Sequence, residues 1–457
     1  MTTIGVPRAN QARGTRSLSS KLPVAMLIAA ALVIGVGTVT NQRSATADAV
    51  DAAIAAPFID VGIGSIDEAV AFWQRRVDQD PSDYLSRTRL ATTIMAKARE
   101  TGVLSLYPKA EAVLHDALAL NPVDQGALLA LAAVRAANHD FSGSTALADQ
   151  VLARDPSSLA ALVAIADNAF ELGDYDAART KLAALRTQMP EGGAADSRLA
   201  RQAAIEGRID DAIAYAAAAT TASSELDLRP SEAAFYRFQL AHFLYQGGRV
   251  DDAAAALDSA LAVDPDHTAS LELRAEVLVS QGQLEQAVVA YLDLVDRTPA
   301  ADLHGALAKV YRALGRDVEA DKQVEIGRAI GHEALGIYPA ERRHLAGFFA
   351  DHEPATALEA ALADFDSRHD IGAYDTLAWA YFRTGQAEQA AKYIDGALSQ
   401  GTQDARLLYH AGMIEAAVGH DDEAIELLSD ALAINPSFDL VDAPLARAEL
   451  ARLWTRR

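Results

Sequence analysis

The residues best equipped for chemistry in this chain are His344, Asp351, His352, His369 and Asp370, which fall within one stretch of sequence. Imidazoles and carboxylates together are what a zinc site or a general acid–base pair requires. Their spacing supplies neither: no two of these histidines stand four apart, the interval that sets two imidazoles on one face of a helix. Histidines facing solvent are the simpler reading, and a metal- or small-molecule-binding module centred on His344 to Asp370 stays open as an alternative. Asp421, Asp422 and Glu423 lack the oxygen spacing of a calcium loop. They suit instead the first turn of a helix, where carboxylates meet the positive end of the helix dipole. No HExxH, GxSxG or GxxxxGK[ST] motif occurs. The absence of cysteine removes disulfides, thiolate metal sites and cysteine nucleophiles together. No catalytic residue, metal ligand or cofactor is expected, and the chain reads as a non-enzyme.

Helices must position whatever these residues do. The clearest element is Leu407 to Pro436, LLYHAGMIEAAVGHDDEAIELLSDALAINP. Leu408, Ala411, Gly412 and Glu415 fall near one stripe of a first helix, Gly419 stops it, and Ala424, Leu428 and Ala431 line a second that closes at Pro436. Weaker copies run upstream. Closing prolines recur at Pro122, Pro156, Pro190, Pro265, Pro299 and Pro436, and three of the intervals are 34 residues. Turn glycines agree at Gly173, Gly207, Gly248, Gly282, Gly315, Gly385 and Gly419. Before each turn a small residue, from Ala166 and Ala200 to Ala378 and Gly412, lets two helices approach closely; beyond it another alanine, from Ala178 to Ala424, supplies the opposing surface.

These markers at this period resemble the tetratricopeptide repeat. The resemblance covers about Ile66 to Pro436 and implies an all-α, right-handed superhelical solenoid of about 9 to 10 repeats, one of them degenerate. The chain is also similar to exported bacterial proteins of that type, which open with a long first helix, here ATTIMAKARETG, and end in a cap, here NPSFDLVDAPLARAEL. In the family the first helix of each repeat lines a concave groove that holds a protein or peptide segment. Mapped residue by residue, the groove would present Phe235, Phe238, His242 and Tyr245 in one repeat and Trp379, Phe382, Tyr409 and Met413 in the last two. Arg201, Lys309 and Arg312 would add positive charge, with Asp167 and Glu276 opposing it. The basic and asparagine clamp of members that bind chaperone tails is not matched, since Val163, Asp167, Ser197 and Arg201 stand there. Aromatics at helical spacing are equally the mark of packing residues, so both readings stay open.

Three departures interrupt the period. Ala91 and Ala110 are seven residues further apart than the rule, around ETGVLSLY, and the interval from Gly207 to Gly248 carries a like excess around SSELDLRPS. Seven residues are close to two helical turns, so lengthened helices would keep their faces in register. Residues 333–370 keep few markers and no turn glycine, a degenerate repeat and a candidate hinge or special site.

The termini differ from the array. Residues 1–47 carry five basic residues and no acidic one, an apolar run from Val24 to Val39, and Ala45-Thr46-Ala47, a small-x-small site; this reads as an export signal. It is either cleaved or retained as a single membrane anchor, and Arg43 between run and cut site argues for the anchor. Basic residues ahead of the run place the rest outside the cytoplasmic membrane either way. Residues 48–65 read as a linker. In 437–457, Ala446, Leu450, Leu453 and Trp454 form one stripe of a capping helix. The chain carries a net charge of −23, which disfavours nucleic acid as a partner. The expected protein is an extracytoplasmic scaffold that binds protein segments in assembly of an envelope complex; a holdase for many unfolded clients is the other alternative.

Overall fold

The computed structural model describes residues 65–456 apart from 102–104, 190–191, 225, 227 and 336–340. The expected export signal (1–47) and almost all of the expected linker (48–65) lie outside the described residues. Among the described residues the chain forms 22 α-helices and no strand. A single helix, α1 (Ile66–Gln79), opens the array. Hairpins follow as α2/α3 (Tyr84–Thr101, Leu106–Leu120), α4/α5 (Gln125–Ala137, Phe141–Leu152), α6/α7 (Leu159–Leu172, Tyr175–Gln188) and α8/α9 (Gly193–Ile205, Ile209–Ser224). Next come α10/α11 (Pro230–Gln246, Val250–Val263), α12/α13 (Thr268–Ser280, Leu284–Arg297) and α14/α15 (Ala301–Ala313, Asp317–Leu335). The last are α16/α17 (Arg342–His352, Pro354–Phe365), α18/α19 (Ile371–Arg383, Ala387–Leu398) and α20/α21 (Ala405–Val418, Asp421–Ile434), closed by α22 (Asp442–Trp454).

The repeat markers do the mechanical jobs expected of them. Ala166, Ala200, Ala241 and Ala378 are buried against Ala178, Ala212, Ala253 and Ala390, also buried. A Cβ on Gly412 would lie 2.6 Å from Leu428 Cγ, so this contact requires glycine. The seven turn glycines take left-handed φ between 71° and 89°, which ends the first helix of each hairpin. Asp421, Asp422 and Glu423 occupy the first turn of α21. Between α4 and α5 a non-glycine residue takes the left-handed turn: His139 adopts φ 60°, a conformation that costs a side-chain-bearing residue about 1 kcal/mol.

The departures resolve as longer helices in part. α2 has 18 residues where α4 and α8 have 13, and α10 has 17. The excess before Gly248 is thus shared between α10, a 16-residue α9 and the connection between them. The degenerate repeat is α16/α17, and Pro354 at the first position of α17 replaces the turn glycine. Its large residues need glycine opposite them: Phe348 of α16 packs against Gly305 and Gly327, and Phe349 against Gly331. A Cβ on Gly327 or Gly331 would lie 2.8 Å from the Phe348 or Phe349 ring. α22 buries Ala446 and Leu453 over the end of the stack, while Trp454, expected on the same stripe, remains exposed.

Most even-numbered helices also touch the next even-numbered one, as no odd-numbered pair does to the same extent. Close spacing on one side curves the stack toward it, so the even-numbered helices form the concave wall. The curvature is tight enough that the array meets itself. Tyr175 Oη accepts a hydrogen bond from the Ile371 amide at 2.8 Å, and Gln246 Nε2 donates to Asp404 at 3.4 Å. Ser280 Oγ donates to the Ser437 carbonyl at 3.1 Å. Cβ atoms on Gly173, Gly207 or Gly248 would run into the carbonyl oxygens of His369, Gly401 and Ile434. The turns of the central hairpins therefore abut the connections between the last ones, forming a seam within the chain.

Candidate binding surface on the concave wall

The wall divides into a neutralised part and an open part. In the neutralised part, Glu171 on α6 receives Arg201 of α8 at 2.6 Å and faces Arg368 across the seam at 3.5 Å. Burial alone would raise the Glu171 pKa, but Arg201, Arg368 and Arg343 outweigh it and hold it at about 2. Arg343 bridges Asp364 at 3.1 Å and Asp370 at 3.0 Å. Arg368 Nη2 lies 2.8 Å from His139 Nε2, and burial with Arg368 beside it lowers the His139 pKa to about 3, keeping the ring neutral as an acceptor. Lys309 on α14 lies 3.3 Å from both Asp351 and Asp439, and Arg383 reaches Asp351 at 2.6 Å.

These contacts engage much of the histidine and aspartate group considered for metal. Asp351 and Asp370 are held by cations, His352 packs on Phe348 and His369 on Phe365. His344 lies 3.6 Å from Asp302. Among the described residues, Glu415, His420 and Glu423 place three ligand atoms within 4.8 Å of one another. His420 Nδ1 and Glu415 Oε2 already share a hydrogen bond of 2.6 Å.

The expected groove residues separate in the same way. Trp379 and Tyr409 are corrected to packing residues, 8% and 1% exposed: their rings meet at 5.6 Å, and Trp379 stacks on His410 at 4.0 Å. Phe382 stacks on Trp379 at 4.9 Å, and Phe382 and Met413 are half-buried at the edge of the same core. Arg201 and Lys309 are committed to the ion pairs above, and Arg312 turns to Asp321 of α15 at 3.1 Å. Tyr245 is committed to the seam through Ser280, 2.8 Å away. Phe235, Phe238 and His242 on α10 remain reachable, the rings half-buried and the imidazole exposed. Phe238 lies 6.1 Å from His242 and edge-on to His267 at 5.8 Å.

His242 lies on α10, one of the helices of the wall. It is exposed on the concave wall, and burial lowers its pKa against the opposing charge of Asp404. Glu276 on α12 is alike, exposed with a pKa raised by burial. Arg406 at the start of α20 faces Glu276, Asp439 and Asp404, which together raise its pKa against the opposing effect of burial. The open part of the wall, the recess, runs from the aromatic strip of α10 past α12 to the first turn of α20. Sequence reasoning found the strip and Glu276 through the family pattern but missed Glu272 and Arg406 as their surroundings; Arg406 is there because the seam brings α20 in from far along the chain.

A family model described as tetratricopeptide repeat matches residues 163–227, 238–302 and 376–437. Among curated proteins, the TPR repeat-containing protein YpiA of Bacillus subtilis (strain 168) is 26% identical over 253 residues, 46% of this chain. The match spans 58% of that protein's length. Among solved structures, the human IFIT1 dimer with m7Gppp-AAAA is similar with a TM-score of 0.46 at 16% identity, covering 84% of this chain and 90% of that one. A tetratricopeptide repeat protein from Parabacteroides merdae ATCC 43184 gives a TM-score of 0.32 at 16% identity, covering 56% and 96%. The APC/C hetero-tetramer Cut9-Hcn1 gives 0.31 at 13% identity, covering 90% and 96%.

Proposed function

We propose that this tetratricopeptide-repeat protein, a solenoid suited to protein–protein interaction, captures a segment of a partner protein in the recess beside α10, outside the cytoplasmic membrane, in assembly of an envelope complex. The observation that carries the reading is the strip of Phe235, Phe238 and His242, reachable on the concave wall while Trp379 and Tyr409 are consumed in packing. Aromatic rings half-sunk in a wall give a partner apolar contact at little entropic cost, which is how interface anchors act. The placement outside the membrane rests on the basic residues before Val24 to Val39 and the small residues that follow.

Affinity capture from the native cell, followed by intact mass and fractionation, tests both parts. The expected result is one stoichiometric protein partner, recovered with wild type and lost with Phe238→Ala plus His242→Ala at little change in melting temperature. Capture of many unrelated clients would mark a holdase instead, and recovery of the chain in the cytoplasm would overturn the export reading. Trp379→Ala is not a usable probe, since removing a buried indole costs about 3–5 kcal/mol of folding stability.

A further inference from the structure

Glu272 on α12, Asp302 in the first turn of α14 and Glu341 immediately before α16 lie on three successive elements of the concave wall. Elsewhere on that wall carboxylates are answered: Glu171 by Arg201, and Asp351 by Lys309 and Arg383. Around Glu272 they are not. Every charged group acting on it is another carboxylate, Asp302, Glu276 or Glu341, and with burial they push its pKa up to about 8. The basic group at hand is His344, 3.6 Å from Asp302, and burial lowers its pKa, leaving it neutral at pH 7. Glu341 adds an independent observation: it is 4% exposed, and its Oε1 has no hydrogen-bond partner among the described residues. A buried acceptor without a donor is costly, and folded proteins keep one chiefly where a ligand or water completes it.

We infer that Glu272, Asp302 and Glu341 receive a lysine or arginine side chain of the captured protein segment. The inference rests on the reading of the recess as a segment-binding surface and specifies the chemistry of that segment. A bare divalent ion fits poorly, since the three carboxylates are not among the described groups whose ligand atoms converge within 4.8 Å. An ammonium or guanidinium group carries several donors on a long apolar stem and needs no such close convergence of ligand atoms. The segment therefore sets a basic residue on the α12–α16 wall and an apolar residue against Phe235 and Phe238.

Selection of a random 12-residue peptide library on the full chain, followed by titration of the winning peptides, tests this. Winners are expected to carry Lys or Arg. Replacing that Arg by neutral citrulline, or that Lys by norleucine, should weaken binding roughly tenfold, as should Glu272→Gln, and the two changes together should weaken it little further. Asp302→Asn, at a partly exposed site, repeats the measurement independently of Glu272. Winners without a cation, or losses that simply add, would overturn the inference and leave the recess standing as a neutral groove. Calcium or magnesium displacing the peptides at micromolar concentration would overturn it in favour of an ion site. If no peptide is enriched, or Phe238→Ala binds the winners as wild type does, the recess reading falls and this inference with it.

Discussion

At the scale of residues, the same acidic group makes a stability prediction that needs no ligand. The Glu272 pKa is raised to about 8 from an ordinary 4.5, by burial first and then by Asp302, Glu276 and Glu341. Between those values the folded chain holds a proton that the unfolded chain has released, so stability falls as pH rises from 4.5 to 8 and then levels. Glu272→Gln removes that contribution. Its melting temperature should match wild type near pH 4.5 and exceed it increasingly up to pH 8, and a constant difference across the range would show that Glu272 is ordinarily solvated. A second residue-scale contrast concerns the turns. An alanine at any left-handed turn costs about 1–2 kcal/mol. At Gly385 nothing lies within 4 Å of the added Cβ, whereas at Gly207 it meets the Gly401 carbonyl. Gly207→Ala should therefore lower the melting temperature clearly more than Gly385→Ala. The sequence marks both glycines alike, because the turn needs each; only Gly207 also serves the seam.

At the scale of elements, what was legible followed from local repetition. The buried alanines, the turn glycines and the closing prolines each recur because one hairpin geometry recurs, and a period of 34 exposes them. The degenerate hairpin was legible as two helices but not as a packing solution, since its compensation lies in another repeat. Phe348 and Phe349 sit on α16, and the glycines that admit them, Gly327 and Gly331, sit on α15, where glycine inside a helix reads as a mere weakness. The element read as a candidate hinge or special site is closely packed against α15 through these rings. Phe349 is fully buried, and Phe349→Ala should cost about 3–5 kcal/mol in urea unfolding, as for other large core aromatics. Gly331→Val should also destabilise by overpacking, and pairing it with Phe349→Leu should recover part of the loss. Independent, additive effects would mean the two do not share a cavity.

At the scale of the whole molecule, the seam decides how open the recess is, and it was invisible in the sequence because it joins residues such as Tyr175 and Ile371 that no local pattern links. Its charged contact at one end is Glu171 with Arg368, both nearly buried, so salt should barely weaken it: screening acts on solvated charges, and raising salt from 0.1 to 1 M shortens the Debye length from about 10 to about 3 Å only in solvent. Acid acts directly. The folded Glu171 pKa of about 2 lies below its ordinary 4.5, so the stability it contributes is fully present above pH 4.5 and is lost as pH falls toward 2. The radius of gyration measured by X-ray scattering should accordingly stay constant from 0.1 to 1 M NaCl at pH 7. It should grow between pH 4.5 and 3 before helical circular dichroism is lost, because the seam has fewer buried contacts than the hairpins it joins. Gly207→Glu should produce the same expansion at neutral pH by wedging the seam directly. Expansion and helix loss coinciding in acid, together with a compact Gly207→Glu, would show that the seam is no weaker than the repeats and that the recess has a fixed width.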